Sequence, residues 1–322
     1  MGRLISDKYK EWKAECEQRF LQMKANEEEL NRIFIDIYGL QGELTPEVDE
    51  KEVTVHRIFD TKDDVPESMQ GSAYVRTKRD EIVSLLSYAV GCMFGRYSLD
   101  VDGIAYAGGE WDAEKYKTFL PDRDSILPIT DEEYLQDDIV SRLCDWLKVA
   151  YGAGTLEENL DFIADALGGK GNSSREIIRN YFLKDFFKDH CKTYQKRPIY
   201  WLFDSGKQDG FKALIYLHRY TPDTIGNLRV DYLHKMQRVY ESEIGRMQDM
   251  IDHSTNAREV AASTKRKEKL QKQLKECRDY DEMIAHLALS RIELDLDDGV
   301  KVNYEKIQTA GDGKQYPVLA KI

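Results

Sequence analysis

A run of mostly apolar residues spaced alternately three and four apart constrains this chain more than any other feature: Val230, Leu233, Gln237, Tyr240, Ile244, Met247 and Ile251. That spacing keeps one side of an α-helix apolar along its length, as in the seam of a coiled coil. The run opens behind Thr221-Pro222, where proline suits the first helical turn, and it breaks at His253-Ser254-Thr255. Asn256 with Glu259 restarts a helix that carries Leu270, Leu274, Cys277 and Ile284. Two helices of about 30 residues, each about 45 Å long, are expected to fold back on each other. The spacing therefore predicts a long antiparallel helical hairpin over 221–288.

Helix signals dominate elsewhere too. Ser6 is placed to cap a first helix towards Lys24, and Asn26 with Glu29 to cap a second that ends at Gly39. Along the second, Leu30, Ile33, Phe34, Ile37 and Tyr38 follow the spacing of a buried stripe. Residues 41–76, acidic and containing Pro46 and Pro66, read as a loop with one short strand at Val53–Ile58. Thr77 and Asp80 open a core helix that ends near Gly95. Residues 98–129 are rich in Gly, Asp and aromatics, and short strands fit there. Capping pairs at Thr130/Glu133, Thr155/Glu158 and Ser173/Glu176 announce packed short helices. RPIYWLF (197–203) and FKALIYLH (211–218) read as a β-hairpin. The expected fold class is mainly α (α+β), with packed short helices, one β-hairpin and the long helical hairpin. The segments are 1–40, 41–130, 131–220, 221–288 and a tail at 289–322.

Several chemistries are excluded by motif. There is no GxxxxGK[ST] or GxGxxG phosphate loop, no HExxH and no GxSxG. Pro121-Asp122 is not followed within 30 residues by the (D/E)xK of a nuclease. The cysteines at 16, 92, 144, 191 and 277 form no CxxC, and no Cys/His set has zinc-ligand spacing. That cysteine usage fits a reducing, cytoplasmic setting. The longest near-apolar run, residues 82–94, is 13 long and holds two serines, against about 20 for a span. No membrane partner is expected. The N-terminus turns polar at once, unlike a signal peptide. Gly2 with Ser6 matches the bare myristoylation pattern, but a motif this short recurs by chance and no lipid anchor is expected from it.

Charge is segregated. Residues 27–67 hold 13 acidic and 4 basic side chains, and 101–138 hold 11 and 3. Residues 170–278 reverse this, with 23 Lys/Arg against 14 Asp/Glu, although the whole chain is at −12. Patches rather than totals govern association. Lys265, Arg266, Lys269 and Lys272 lie in the densest patch, and Lys196, Arg197, Lys207 and Lys212 bracket the β-hairpin. Tyr194, Tyr200, Trp201 and Phe203 interleave the second set. Lys and Arg neutralise phosphates, and aromatics stack on unpaired bases. The same residues also read as a hairpin core with solubilising lysines.

NEEELNRIFIDIYGL (26–40) with ELTPEV (43–48), SYAVGCMFGRYSLD (87–100), KRPIYWLF (196–203), ALIYLHRY (213–220) and DDGVKVNY (297–304) occur in this order. Together they resemble the C-terminal part of the PglX family, the adenine-specific DNA methyltransferases of BREX phage-defence systems, related to single-chain restriction–modification enzymes. The resemblance spans residues 6–308. It implies that S-adenosylmethionine and the Asn-Pro-Pro-Tyr motif belong to a domain N-terminal to this region. This chain contains neither that tetrapeptide nor the glycine-rich donor loop, so it carries no catalytic or cofactor residue of the family. The implied role is a non-catalytic region that engages double-stranded DNA beside the methyltransferase core of the same polypeptide. The alternative is a scaffold that docks other defence-system proteins through the helical hairpin.

Overall fold

A computed structural model describes residues 3–322; Met1 and Gly2, and with them the short lipidation pattern, lie outside the described residues. In chain order the regular elements are α1 (Ile5–Tyr38), β1 (Arg57–Phe59), β2 (Val75–Thr77), α2 (Lys78–Phe94), β3 (Ile126–Pro128), α3 (Ile139–Tyr151), α4 (Leu156–Leu167), α5 (Ser174–Lys184), α6 (Phe186–Thr193), β4 (Tyr200–Asp204), β5 (Lys212–Tyr216), α7 (Thr224–Asn227), α8 (His234–His253), α9 (Ala257–Ser290) and α10 (Gly299–Lys306). The chain is mainly helical, as expected. It divides into two compact units, residues 1–86 with 151–169, and residues 87–150 with 170–322.

The first unit corrects three readings. The two expected N-terminal helices are one, α1, 34 residues long. Asn26 does not cap, because its side-chain oxygen accepts from Gln22 Nε2 at 2.8 Å, one turn earlier within the helix. Ser6 does not cap either. The Ile5 N–H is received by Asn159 Oδ1 of α4 at 2.8 Å, so a distant side chain satisfies the helix start. Gly39 ends α1 in the left-handed conformation, φ 67°, as its sequence position suggests. Tyr9, Cys16 and Phe20 of α1 are buried with Ile58, Val53 and Met69. β1 and β2 pair in parallel, with Ile58 opposite Arg76. Arg57 ties them to α1, forking onto Glu17 at 2.7 Å while reaching Glu50 at 3.0 Å. The third correction concerns the stripe Leu30, Ile33, Phe34, Ile37 and Tyr38. It is exposed, not buried.

In the second unit the expected β-hairpin is present. β4 and β5 are antiparallel, Tyr200 opposite Tyr216, and β3 adds a third strand on the other side of β5. Thr130 does not start a helix. Its buried hydroxyl donates to Asp138 at 2.9 Å, and Asp138 caps α3 by accepting from the Val140 N–H at 3.0 Å. The same carboxylate holds the buried Arg179 of α5 at 2.7 Å. Ser173 does cap α5, accepting from the Glu176 N–H at 3.2 Å.

Helix α7, a π-helical turn at Leu228–Leu233 and α8 run on continuously, and α9 returns antiparallel. Arg229 meets Asp281 at 2.7 Å, Glu241 meets Arg278 at 2.7 Å, and Gln248 meets Lys267. Asn256 caps α9 as read, accepting from the Arg258 N–H at 3.0 Å. Of the heptad seam, Leu233, Tyr240 and Met247 are buried with Leu270, Leu274, Cys277, Ile284 and the sheet residues Trp201, Phe203 and Ile215. The C-terminal residues complete this core. The Asp204 N–H donates to Val318 O at 3.1 Å and the Ala320 N–H to Leu202 O at 2.8 Å, so the last segment lies beside β4.

Two outcomes check this architecture. Spin labels at positions 241 and 278 should lie about 10–20 Å apart, given interaxial distances of about 8–10 Å; above about 40 Å the hairpin would be open. Replacing Asp138 by Ala strands the buried Arg179 and removes the α3 cap. Removing one partner of a buried pair costs about 3–5 kcal/mol, which urea unfolding should report. A loss below about 1 kcal/mol would mean that the pair is dispensable.

Candidate nucleic-acid interface

The buried face of α9 determines what its other face displays. Leu270, Leu274, Cys277, Ile284 and Leu287 point into the core. Lys265, Lys269, Lys272 and Lys275 are exposed. At 100° per residue, Lys265, Lys269 and Lys272 fall within an arc of roughly 60° and rise about 10.5 Å along the helix. The eight basic residues singled out by sequence nevertheless have unlike environments.

Arg266 and Lys269 are paired. Both reach Asp131, at 3.3 and 2.5 Å, and Arg266 also meets Glu132 at 2.7 Å and the Tyr134 hydroxyl. Gln273 donates to the same Asp131 carboxylate at 3.1 Å. Burial pushes the Asp131 carboxyl up, but Lys269, Arg266 and Gln273 outweigh it and hold the group below its ordinary range. These acids belong to segment 101–138, which in sequence looks like solvated surface. Here part of it fastens the β3–α3 loop to α9 and neutralises two of the patch's charges. Lys265, Lys272 and Lys275 make no ion pair among the described residues.

Lys212 is 7% exposed and points inward. Its ammonium meets Asp209 at 3.0 Å and Asp204 at 3.3 Å and donates to Leu183 O at 3.1 Å. Burial raises the Asp204 carboxyl's pKa despite that cation. Lys212 is a structural cation, because every residue of β5 is buried and Leu183 O, Asp204 and Asp209 enclose its ammonium. Lys207, in the hairpin turn, is exposed. The turn is clamped to α9 by Glu276, whose carboxylate accepts from the Ser205 hydroxyl and the Gln208 N–H at 2.8 Å each, and from the Gly210 N–H at 3.0 Å. A Cβ on Gly210 would lie 2.8 Å from Gln273 O, which explains glycine at this close approach. Lys207 is thus brought to the α9 stripe. Lys196 and Arg197, also exposed, precede β4 and lie at the opposite end of a strand about 16 Å long. The structure splits the hairpin set.

The interleaved aromatics belong to the fold. Tyr200, Trp201 and Phe203 are buried, and Tyr194 is half-buried against His190. The three buried rings are unavailable for stacking on a base. Sequence reasoning missed Asp131 and Glu276 as the residues that position the patch, since single carboxylates in mixed-charge runs give no local signal. Among the described residues no cluster of three His, Cys, Asp or Glu is arranged to hold a metal, and no helix is long and apolar enough to cross a membrane.

No family model matches the chain. It is 47% identical over 303 residues to the adenine-specific methyltransferase PglX of Lacticaseibacillus casei (strain Zhang), covering 93% of this chain and 24% of that protein. It is 39% identical over 294 residues to the adenine-specific methyltransferase BrxX of Escherichia coli O9:H4 (strain HS), covering 87% of this chain and 24% of that protein. The chain thus spans about a quarter of the length of the curated relatives it matches. Over nearly its whole length it is homologous to a region of the PglX and BrxX adenine-specific methyltransferases.

Proposed function

We propose that this chain is a non-catalytic, C-terminal DNA-engaging region of a BREX-type adenine-specific methyltransferase, which holds the duplex by its phosphates along α9. The observation that carries the reading is the unpaired, exposed set Lys265, Lys272 and Lys275 on a helix fixed by its opposite face. The stripe's rise of about 10.5 Å matches the length over which one DNA strand carries about three phosphates. Lys207 extends the stripe, and Lys269 joins it at the edge of its Asp131 contact. Lys212 and the buried aromatics take no part. Lys196 and Arg197 form a separate basic point. S-adenosylmethionine belongs to the rest of the polypeptide. A duplex adenine must leave the stack to be methylated, and a remote grip holds the duplex in place while it does.

The scaffold alternative relied on an open heptad seam. Leu233, Tyr240 and Met247 pack inside the unit, so the hairpin's seam is occupied by its own chain. No observation favours that reading over the first.

Two measurements test the proposal. Incubated with tritiated S-adenosylmethionine and mixed-sequence duplex, the chain alone should transfer no label; stoichiometric transfer would contradict a non-catalytic role. In a salt titration of duplex binding, about four phosphate contacts give a slope of log K against log salt of about −3 to −4. Changing Lys265, Lys269, Lys272 and Lys275 to Ala should flatten it by about one unit per contact, whatever the sequence. Lys212→Ala should lower stability through the stranded Asp204, since Asp209 keeps its pair with Lys184, and leave the slope of the folded protein unchanged. An unaltered slope in the quadruple variant would make α9 a solvated face.

A further inference from the structure

Leu30, Ile33, Phe34, Ile37 and Tyr38 are 44–71% exposed along the last two turns and more of α1. They occupy an arc of roughly 140° of the helix surface. The first half of the same helix behaves conventionally, with Tyr9, Cys16 and Phe20 buried in the first unit. The chain after Gly39 turns back along α1. The Leu40 N–H donates to Ile35 O at 2.9 Å, Asn31 Nδ2 to Pro46 O at 3.2 Å, and the Val48 N–H to Glu28 Oε1 at 3.2 Å. This return covers Ile35 and leaves a cavity of about 300 Å3, lined by Phe34, Tyr38, Leu40 and Leu44 with Asn31 and Thr45, open beside the stripe. Leu44 is itself 53% exposed.

A contiguous apolar patch of this kind on a soluble unit marks an interaction surface. By helical position Glu29 and Asp36 flank the stripe, with Glu27 before it and Glu43 in the return, and Arg32 pairs with Glu29, in a segment of 13 acidic and 4 basic side chains. The occupant therefore presents an apolar centre and a basic margin. The relatives are about four times as long as the matched region, so some three quarters of such a polypeptide is available to cover it.

We infer that the C-terminal half of α1, with the cavity at Phe34, Tyr38 and Leu44, is the surface on which the remaining part of the methyltransferase polypeptide docks, through apolar side chains ringed by Lys or Arg. This rests on the family relationship and not on the DNA reading. The experiment accordingly contains no DNA. Hydroxyl-radical footprinting is run on this chain and on the intact Lacticaseibacillus casei relative. Residues 30–44 should be modified freely in this chain. The aligned residues of the intact relative should be protected about tenfold or more. In this chain, Ile33→Glu, Phe34→Glu and Ile37→Glu together should leave the unfolding midpoint in place, because the side chains are exposed. The same changes at the aligned positions should lower the midpoint of the intact relative. Equal modification in both proteins would overturn the inference. So would protection in this chain that grows with its concentration, since the occupant would then be a second copy.

Discussion

The display of the basic surface depends on the burial of one face of α9. Leu270, Leu274, Cys277, Ile284 and Leu287 recur three to seven residues apart and are all withdrawn from water. Burying each such side chain is worth about 1.5–3 kcal/mol relative to exposure. That stripe fixes the rotation of a 34-residue helix about its own axis. Once the rotation is fixed, which lysines face solvent is no longer a free variable. Lys265, Lys269, Lys272 and Lys275 are displayed because Leu270, Leu274 and Cys277 are not.

Polar clamps then set what surrounds the displayed face. Glu276 receives three hydrogen bonds from the β-hairpin turn, and Asp131 receives Arg266, Lys269 and Gln273. Each carboxylate joins a loop with no core of its own to a helix that has one. Asp138 does the same deeper in the unit, combining a helix cap with a buried ion pair to Arg179. Such pairs add little net stability but are costly to break. They specify where the loops sit. The consequence for function is a basic surface smaller than the sequence suggests: it is flanked, and partly neutralised, by acids from elsewhere in the same unit.

Local patterns were legible where one helix or one turn decided the outcome. The helical hairpin, the restart at Asn256, the cap at Ser173, the hairpin strands and the stop at Gly39 appear where their residues place them, and of the seam Leu233, Tyr240 and Met247 are buried while Val230 is exposed. Features decided by which side chain a polar group finds as its partner were not legible. Asn159, far along the chain, satisfies the start of α1, and Gln22 occupies the Asn26 side chain that looked like a cap. Thr130 serves Asp138 instead of starting a helix. The stripe at Leu30–Tyr38 has the spacing of a buried face, yet spacing cannot say whether the covering surface is in the same segment of chain. Among the basic residues, composition ranked Lys212 with Lys265. A strand buried along its whole length and two aspartates separate them, Lys212 enclosed and Lys265 in solvent.

The central claim, that α9 presents its lysines to a DNA backbone, is tested most directly by lysine acetylation footprinting read by mass spectrometry. Saturating duplex DNA should protect Lys265, Lys272 and Lys275 and leave the exposed Lys10 and Lys301 reacting at their original rates. Uniform rates with and without duplex, or protection confined to lysines away from α9, would contradict the account.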